Sequence, residues 1–180
     1  MAEKRRRARV PDPLPFRVGL GFDIHPFDDR RRLTLGGVRL RRTPGLRGHS
    51  DADVLAHAVC DAVLGALGLE DMGIRFPDTD PAHRGKSSLV FLRQVMRDAR
   101  LRGYRIGNLD TVIAAEAPRL RPHLRAMRRA LARALGCDPA VVSIKAKRGE
   151  GLGAIGRREG MAAQAIVLLV RAPATGGVRR

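Results

Sequence analysis

Apolar and polar residues over Phe16–Asp23 predict a strand that passes into a loop at His25-Pro26. Leu33–Leu35 and Val38–Leu40 flank Gly36-Gly37, a hairpin signal. From Ser50 a helix is expected, capped by Ser50 or Asp51, with acidic residues in its first turn where the helix dipole favours them. Val54, Leu55, Ala58, Val59, Ala62 and Leu67 place one apolar face on it, out to about Gly68. Glu70–Pro81, rich in Asp, Gly and Pro, is a loop. A second helix is predicted over Ser87–Arg102, stopped by Gly103, and a strand over Tyr104–Ala115 centred on Thr111, Val112 and Ile113. A third helix follows Pro122 and ends at Gly136. Val141–Lys147 and Met161–Val170 are strands, and Gly149–Gly160 between them has five glycines and no periodicity.

Strands alternating with helices imply an α+β (α/β) single domain with a mixed sheet of four to five strands and helices on one face. The other face of such a sheet needs a partner, so an oligomer is expected. The domain spans 16–172. Residues 1–15 form a basic, proline-punctuated tail expected to be disordered, and 173–180 a Gly-rich tail expected to fray.

Composition changes this picture in two ways. With 3% aromatic residues and no Trp, the core has to be built from Val, Leu, Ile and Ala. With 35 basic against 18 acidic residues the chain has a net charge of +17, which suits nucleic acid, an anionic membrane or a phosphorylated substrate. The basic residues are overwhelmingly Arg, which beside abundant Ala and Gly reads as a coding bias. No RNA-binding aromatic pattern is present, so nucleic acid is not an expected partner. No apolar run approaches the ~20 residues of a membrane-spanning helix, and no apolar stretch follows the basic Lys4–Arg7 to make a secretory signal. Cys60 and Cys137 form no CxxC pair and read as reduced thiols, which points to the cytoplasm.

Four segments hold candidate chemistry. Asp23 and His25 sit two apart at a strand end, on one face, and both are good zinc ligands. In the run His49–His57, the residues Asp53, His57 and Asp61 are spaced by four and form a polar stripe on an apolar helix. His57 added to Asp23 and His25 makes a three-ligand set with an open fourth position, the mark of a catalytic zinc site, and Asp61 is placed to orient an imidazole. Asp71-Met72-Gly73 and Phe76-Pro77-Asp78-Thr79-Asp80 make an acidic loop in a very basic chain, able to accept hydrogen bonds from substrate hydroxyls; turn chemistry alone is the competing reading. Lys145–Glu150 and Gly156–Gly160 combine glycines with cations, which suits phosphate, and Glu150 suits a hard divalent ion.

The strings Gly21-Phe22-Asp23-Ile24-His25, His49–His57, Phe76–Asp80, Ala117-Pro118 with Pro122-His123, and Gly156-Arg157 with Glu159-Gly160 occur here in one order. Over about 16–172 the chain thereby resembles the 2-C-methyl-D-erythritol 2,4-cyclodiphosphate synthase family of non-mevalonate isoprenoid biosynthesis. The resemblance implies a homotrimer with active sites between adjacent subunits. It implies zinc on Asp23, His25 and His57, and magnesium (or manganese) on Glu150. His49 and Ser50 would contact substrate phosphates, with His49 and Arg148 in catalytic roles. Asp71, Met72, Gly73, Phe76, Asp78 and Asp80 would hold the methylerythritol part. Ala115, Pro118, Arg119, Leu120 and Arg121 would form the cytosine pocket, and Lys147 and Arg157 would contact substrate. The implied reaction is attack of the 2-phosphate of a cytidine diphosphate-linked substrate on its β-phosphorus, releasing CMP. The chain departs from the pattern where threonines usually precede the glutamate: Lys147, Arg148 and Gly149 stand there, and Arg148 is expected to take over a phosphate contact. Arg121 is likewise unusual beside a base pocket. A metal-dependent phosphohydrolase using the same Asp/His/His set with water as nucleophile is the alternative activity.

Overall fold

The computed structural model describes residues 14–173. Nearly all of the two predicted tails lies outside that range. Five strands form one mixed sheet, β1 (Phe16–Leu35), β2 (Val38–Leu46), β3 (Tyr104–Ala114), β4 (Val142–Lys147) and β5 (Gly160–Arg171), in the order β2-β1-β5-β3-β4. All neighbours run antiparallel except β3 and β4, which are parallel. Five α-helices accompany them among the described residues: α1 (Val54–Ala66), α2 (Met72–Arg75), α3 (Ser88–Leu101), α4 (Leu124–Leu135) and α5 (Gly153–Gly156). The expected connector between β4 and β5 thus contains a short helix. No helix among the described residues is long and apolar enough to cross a membrane.

The first strand differs most from expectation. It does not stop before His25-Pro26 but runs on for 20 residues, pairing β5 over Phe16–Pro26 and β2 from Phe27 onward. Pro26, which has no N–H to give, sits at that changeover. Its carbonyl accepts from Arg47 N–H at 2.9 Å, and the next residue, Phe27, donates its N–H to Glu159 at 3.0 Å. Leu33–Leu35 is therefore the far end of β1 and not a separate strand.

The first helix also differs. Asp53 caps it, not Ser50 or Asp51, and no acidic residue lies in its first turn. Asp53 is fully buried. Its carboxylate accepts from the N–H groups of Ala56 (3.0 Å), Gly36 (2.8 Å) and Gly37 (2.6 Å), so it ties the helix start to the β1–β2 turn. Asp53 is thereby removed from the polar stripe predicted for it. Of the 13 residues of α1, ten are buried, and the exceptions are His57, Asp61 and Gly65, again spaced by four. The helix is central, which is why it is apolar nearly all round.

Close approach makes α1 central. A Cβ built on Gly19 would lie 1.9 Å from the Ala62 carbonyl oxygen, and one on Gly21 would lie 1.9 Å from that of Ala58. Only glycine admits the helix backbone this near the strand. Residues 19, 21, 23 and 25 share the covered face of β1. His57, on α1, is therefore brought over Asp23 and His25.

On the opposite face the sheet is uncovered among the described residues. Val18, Leu20, Phe22 and Ile24 of β1 and Ile166 of β5 are each at least half exposed, Leu20 at 65%. One-sided coverage by helices is as the sequence predicts.

Candidate active site

Asp23 Oδ2, His25 Nε2 and His57 Nδ1 converge. Each imidazole nitrogen lies 2.9 Å from the carboxylate oxygen, and the two nitrogens lie 3.2 Å apart. The outer nitrogens are engaged elsewhere. His25 Nδ1 is 2.7 Å from the Arg47 carbonyl, which only accepts, so this nitrogen bears the proton. His57 Nε2 is 2.8 Å from Ser88 Oγ, whose own hydroxyl donates to Asp51 Oδ1. The serine oxygen therefore accepts from His57.

These partners set both rings with their inner nitrogens toward Asp23. Three ligand atoms within 4.8 Å of one another fit a metal ion. Tetrahedral zinc with Zn–N of about 2.0 Å needs nitrogens about 3.3 Å apart, close to the spacing found. Burial opposes charge on His25, but the hydrogen bond and charge of Asp23 outweigh it and raise the His25 pKa. Burial likewise opposes ionisation of Asp23, yet its hydrogen bonds to His25 and His57 hold it well below the usual carboxylate range. A divalent cation bound there would take the place of the proton that Asp23 and His25 share.

The triad lies in a cavity of about 400 Å³ that is also lined by His49, Ser50, Asp61, Met72, Gly73, Phe76 and Asp78. Several sequence candidates are thus together. Arg31 donates to the carbonyls of Gly48 and Ser50 and fixes the loop that bears His49. His49 Nδ1 is buried and has no partner among the described residues. Ser50 Oγ lies 3.1 Å from His57 Nε2 and accepts from Ala52 N–H, so it supports the histidine as well as lining the cavity. Asp61 does not touch an imidazole; it accepts the Met72 N–H at 2.8 Å and so anchors α2 to α1. Burial, with the charges of Asp71 and Asp23, raises its pKa against that bond. Phe76 stacks on Phe91 at 4.7 Å, and the His83 ring meets Phe91 edge-on at 5.2 Å, closing one wall. Asp71 and Asp80 are outside the lining; they cap α2 and the short turn Pro81–His83 by accepting from Ile74 and Ala82 N–H.

A second cavity of about 400 Å³ collects the other group: Ala115, Glu116, Pro118, Arg119, Leu120, Arg121, Ala146, Lys147 and Arg148. It shares no lining residue with the first. Glu150 is exposed, with a backbone φ of 50°, and lines neither cavity. Arg157 also lies outside both and pairs with Glu159 at 2.6 Å. Sequence reasoning missed Ser88, Asp51 and Glu116 as functional supports. Ser88 and Asp51 are 37 residues apart and meet only in the fold.

A mixed α+β fold with an Asp/His/His cluster able to hold a metal ion, set in a cavity, is the pattern of a metal-dependent enzyme. The chain belongs to the YgbB family, whose model matches residues 16–170. It is 54% identical over 167 residues to the bifunctional enzyme IspD/IspF of Anaeromyxobacter dehalogenans, covering 93% of this chain but only 43% of that protein. It is 53% identical over 159 residues to the 2-C-methyl-D-erythritol 2,4-cyclodiphosphate synthase of Bordetella pertussis, covering 88% of this chain and 98% of that one. Among solved structures it is similar to IspF of Plasmodium falciparum in complex with CDP, with a TM-score of 0.76, 33% identity, and coverage of 87% of this chain and 96% of that chain.

Proposed function

We propose that the chain converts 4-diphosphocytidyl-2-C-methyl-D-erythritol 2-phosphate into 2-C-methyl-D-erythritol 2,4-cyclodiphosphate and CMP, in non-mevalonate isoprenoid biosynthesis. The observation that carries this reading is the Asp23/His25/His57 cluster in one cavity with a His49 nitrogen that has no partner among the described residues, in a chain that matches a synthase over 98% of that protein's length. An oxygen of the 2-phosphate attacks the β-phosphorus, and the bridging oxygen leaves with CMP. Such a displacement asks the protein chiefly for positioning and charge neutralisation. A zinc ion on Asp23, His25 and His57 and a magnesium ion on Glu150 would supply the charge neutralisation and hold the phosphate oxygens in place. His49 donates to a phosphate oxygen, which satisfies its buried Nδ1. Backbone groups of Met72 and Gly73 and the side chain of Asp78 receive the methylerythritol hydroxyls, with Asp71 and Asp80 shaping that loop from its caps. The second cavity receives the cytosine, consistent with the CDP held by the similar Plasmodium falciparum structure. Both cysteines are free, which suits the cytoplasm.

Water is the discriminating reagent between cyclisation and phosphohydrolysis. Turnover in ¹⁸O-enriched water is expected to leave both products unlabelled, because the nucleophile is the substrate's own phosphate. One ¹⁸O per turnover in either product would instead mark a hydrolase.

A complete site needs more than one copy on this reading. The triad and the base-sized cavity share no residue, and the apolar face of β1 and β5 is uncovered among the described residues. Three copies packed on that face bring one chain's second cavity to its neighbour's triad. Light scattering at micromolar concentration is expected to give three times the 19.7 kDa of the chain, and a monomer mass would refute the arrangement.

A further inference from the structure

β3 and β4 run parallel, and their C-terminal ends lie side by side, Ala114 opposite Lys147. The carboxyl ends of parallel strands are where α/β sheets receive ligands. Just past the ends Glu116, two residues beyond β3, and Arg148, one residue beyond β4, meet. Glu116 Oε1 accepts from Arg148 Nε at 3.1 Å and also from Nη2, while Oε2 accepts the Gly149 N–H at 3.0 Å. The Glu116 side chain is only 7% exposed and that of Arg148 is 64% exposed. A nearly buried carboxylate thus grips one edge of an exposed guanidinium and, with its other oxygen, the backbone leading to Glu150. Arg148 Nη1 has no partner among the described residues. The guanidinium beside Glu116 lowers its pKa, so the carboxylate stays charged at neutral pH.

An arginine left free on the surface samples many rotamers, and ordering it costs entropy when a ligand binds. Glu116 removes much of that cost in advance. The cavity the pair borders has an apolar lining of Ala115, Pro118, Leu120 and Ala146, suited to a flat base. Its basic rim suits the phosphates attached to that base. We propose that Glu116 is a positioning residue that holds Arg148 at the rim of this cavity, so that the uncommitted guanidinium N–H groups bind the phosphates of a pyrimidine nucleoside diphosphate. The proposal rests on the nucleotide reading given above and extends it to a carboxylate–guanidinium pair.

Titration calorimetry with CDP and with cytidine, on the whole chain, tests it. Arg148→Ala is expected to weaken CDP binding about tenfold, as for loss of one charge-assisted contact, and cytidine binding less than twofold. Glu116→Ala should weaken CDP about fivefold and Glu116→Gln about twofold, because the amide keeps a neutral hydrogen bond. The double variant Glu116→Ala/Arg148→Ala should bind CDP no more weakly than Arg148→Ala alone, since Glu116 acts through Arg148. If Glu116→Ala fails to fold, Glu116→Gln supplies the comparison. A wild-type chain that binds CDP while the Arg148→Ala variant binds it equally well overturns the pair alone, as do losses that multiply in the double variant. A wild-type chain that binds neither CDP nor cytidine overturns the nucleotide reading and the pair with it.

Discussion

His57→Ala is expected to empty the metal site and to lower turnover of the cytidine-linked substrate by about 10³-fold or more. His57 provides one of three ligand atoms, and the two that remain, on adjacent positions of one strand face, hold zinc poorly. Loss of a cation that neutralises transferring phosphate removes several kcal/mol of stabilisation, and each 1.36 kcal/mol is about a factor of ten in rate. Metal analysis of the purified variant reads the first effect and a turnover assay the second. Two companion variants separate ligation from folding. Ser88→Ala removes the nearer of the two hydroxyls at His57 Nε2 and should weaken metal binding about 10-fold, with turnover recovered at high metal concentration. His83→Ala, whose ring packs on Phe76 and Phe91, should keep its metal. Equal zinc in wild type and the His57 variant would refute the ligand assignment.

Gly21→Ala is expected to cost about 3 kcal/mol of stability and to impair metal binding at the same time. The added Cβ would stand 1.9 Å from the Ala58 carbonyl oxygen and 2.6 Å from the Ala62 nitrogen, so α1 has to retreat from β1. His57 moves with α1, while Asp23 and His25 stay on β1, and the three ligand atoms separate. Gly65→Ala is the contrasting case. Its Cβ would meet nothing nearer than 3.7 Å, and it sits inside a helix, where Ala is favoured over Gly by up to about 1 kcal/mol. Denaturant unfolding is expected to show the Gly65 variant at least as stable as wild type and the Gly21 variant far less so. A Gly21 variant with wild-type stability and metal content would show that this contact does not position the site.

The metal triad is legible in the sequence because its logic is local. Asp23 and His25 share a strand face by the two-residue period, and His57 stands on the polar stripe of the helix that the apolar pattern predicts from Ser50. The element order is legible for the same reason. What escapes depends on long-range contacts. Pro26 ends a strand by local rule, yet β1 passes through it, because neighbouring chain segments pair with its carbonyl and with the residue beyond. Ser50 and Asp51 look like caps of α1, yet their side chains serve His57 and Ser88, and Asp53 caps α1. Glu116 sits inside the segment expected to form the cytosine pocket, and its pairing with Arg148 appears only when β4 brings Arg148 alongside. The separation of the candidate residues into two cavities is a property of the whole fold, invisible to any motif.

Mass and phosphorus-31 analysis of the products made from 4-diphosphocytidyl-2-C-methyl-D-erythritol 2-phosphate, by the chain supplied with zinc and magnesium, is the most direct test of the proposed reaction. CMP and a cyclic diphosphate in equal amounts, with no inorganic phosphate, are expected. Inorganic phosphate, or CMP accompanied by an open-chain bisphosphate, would contradict cyclisation.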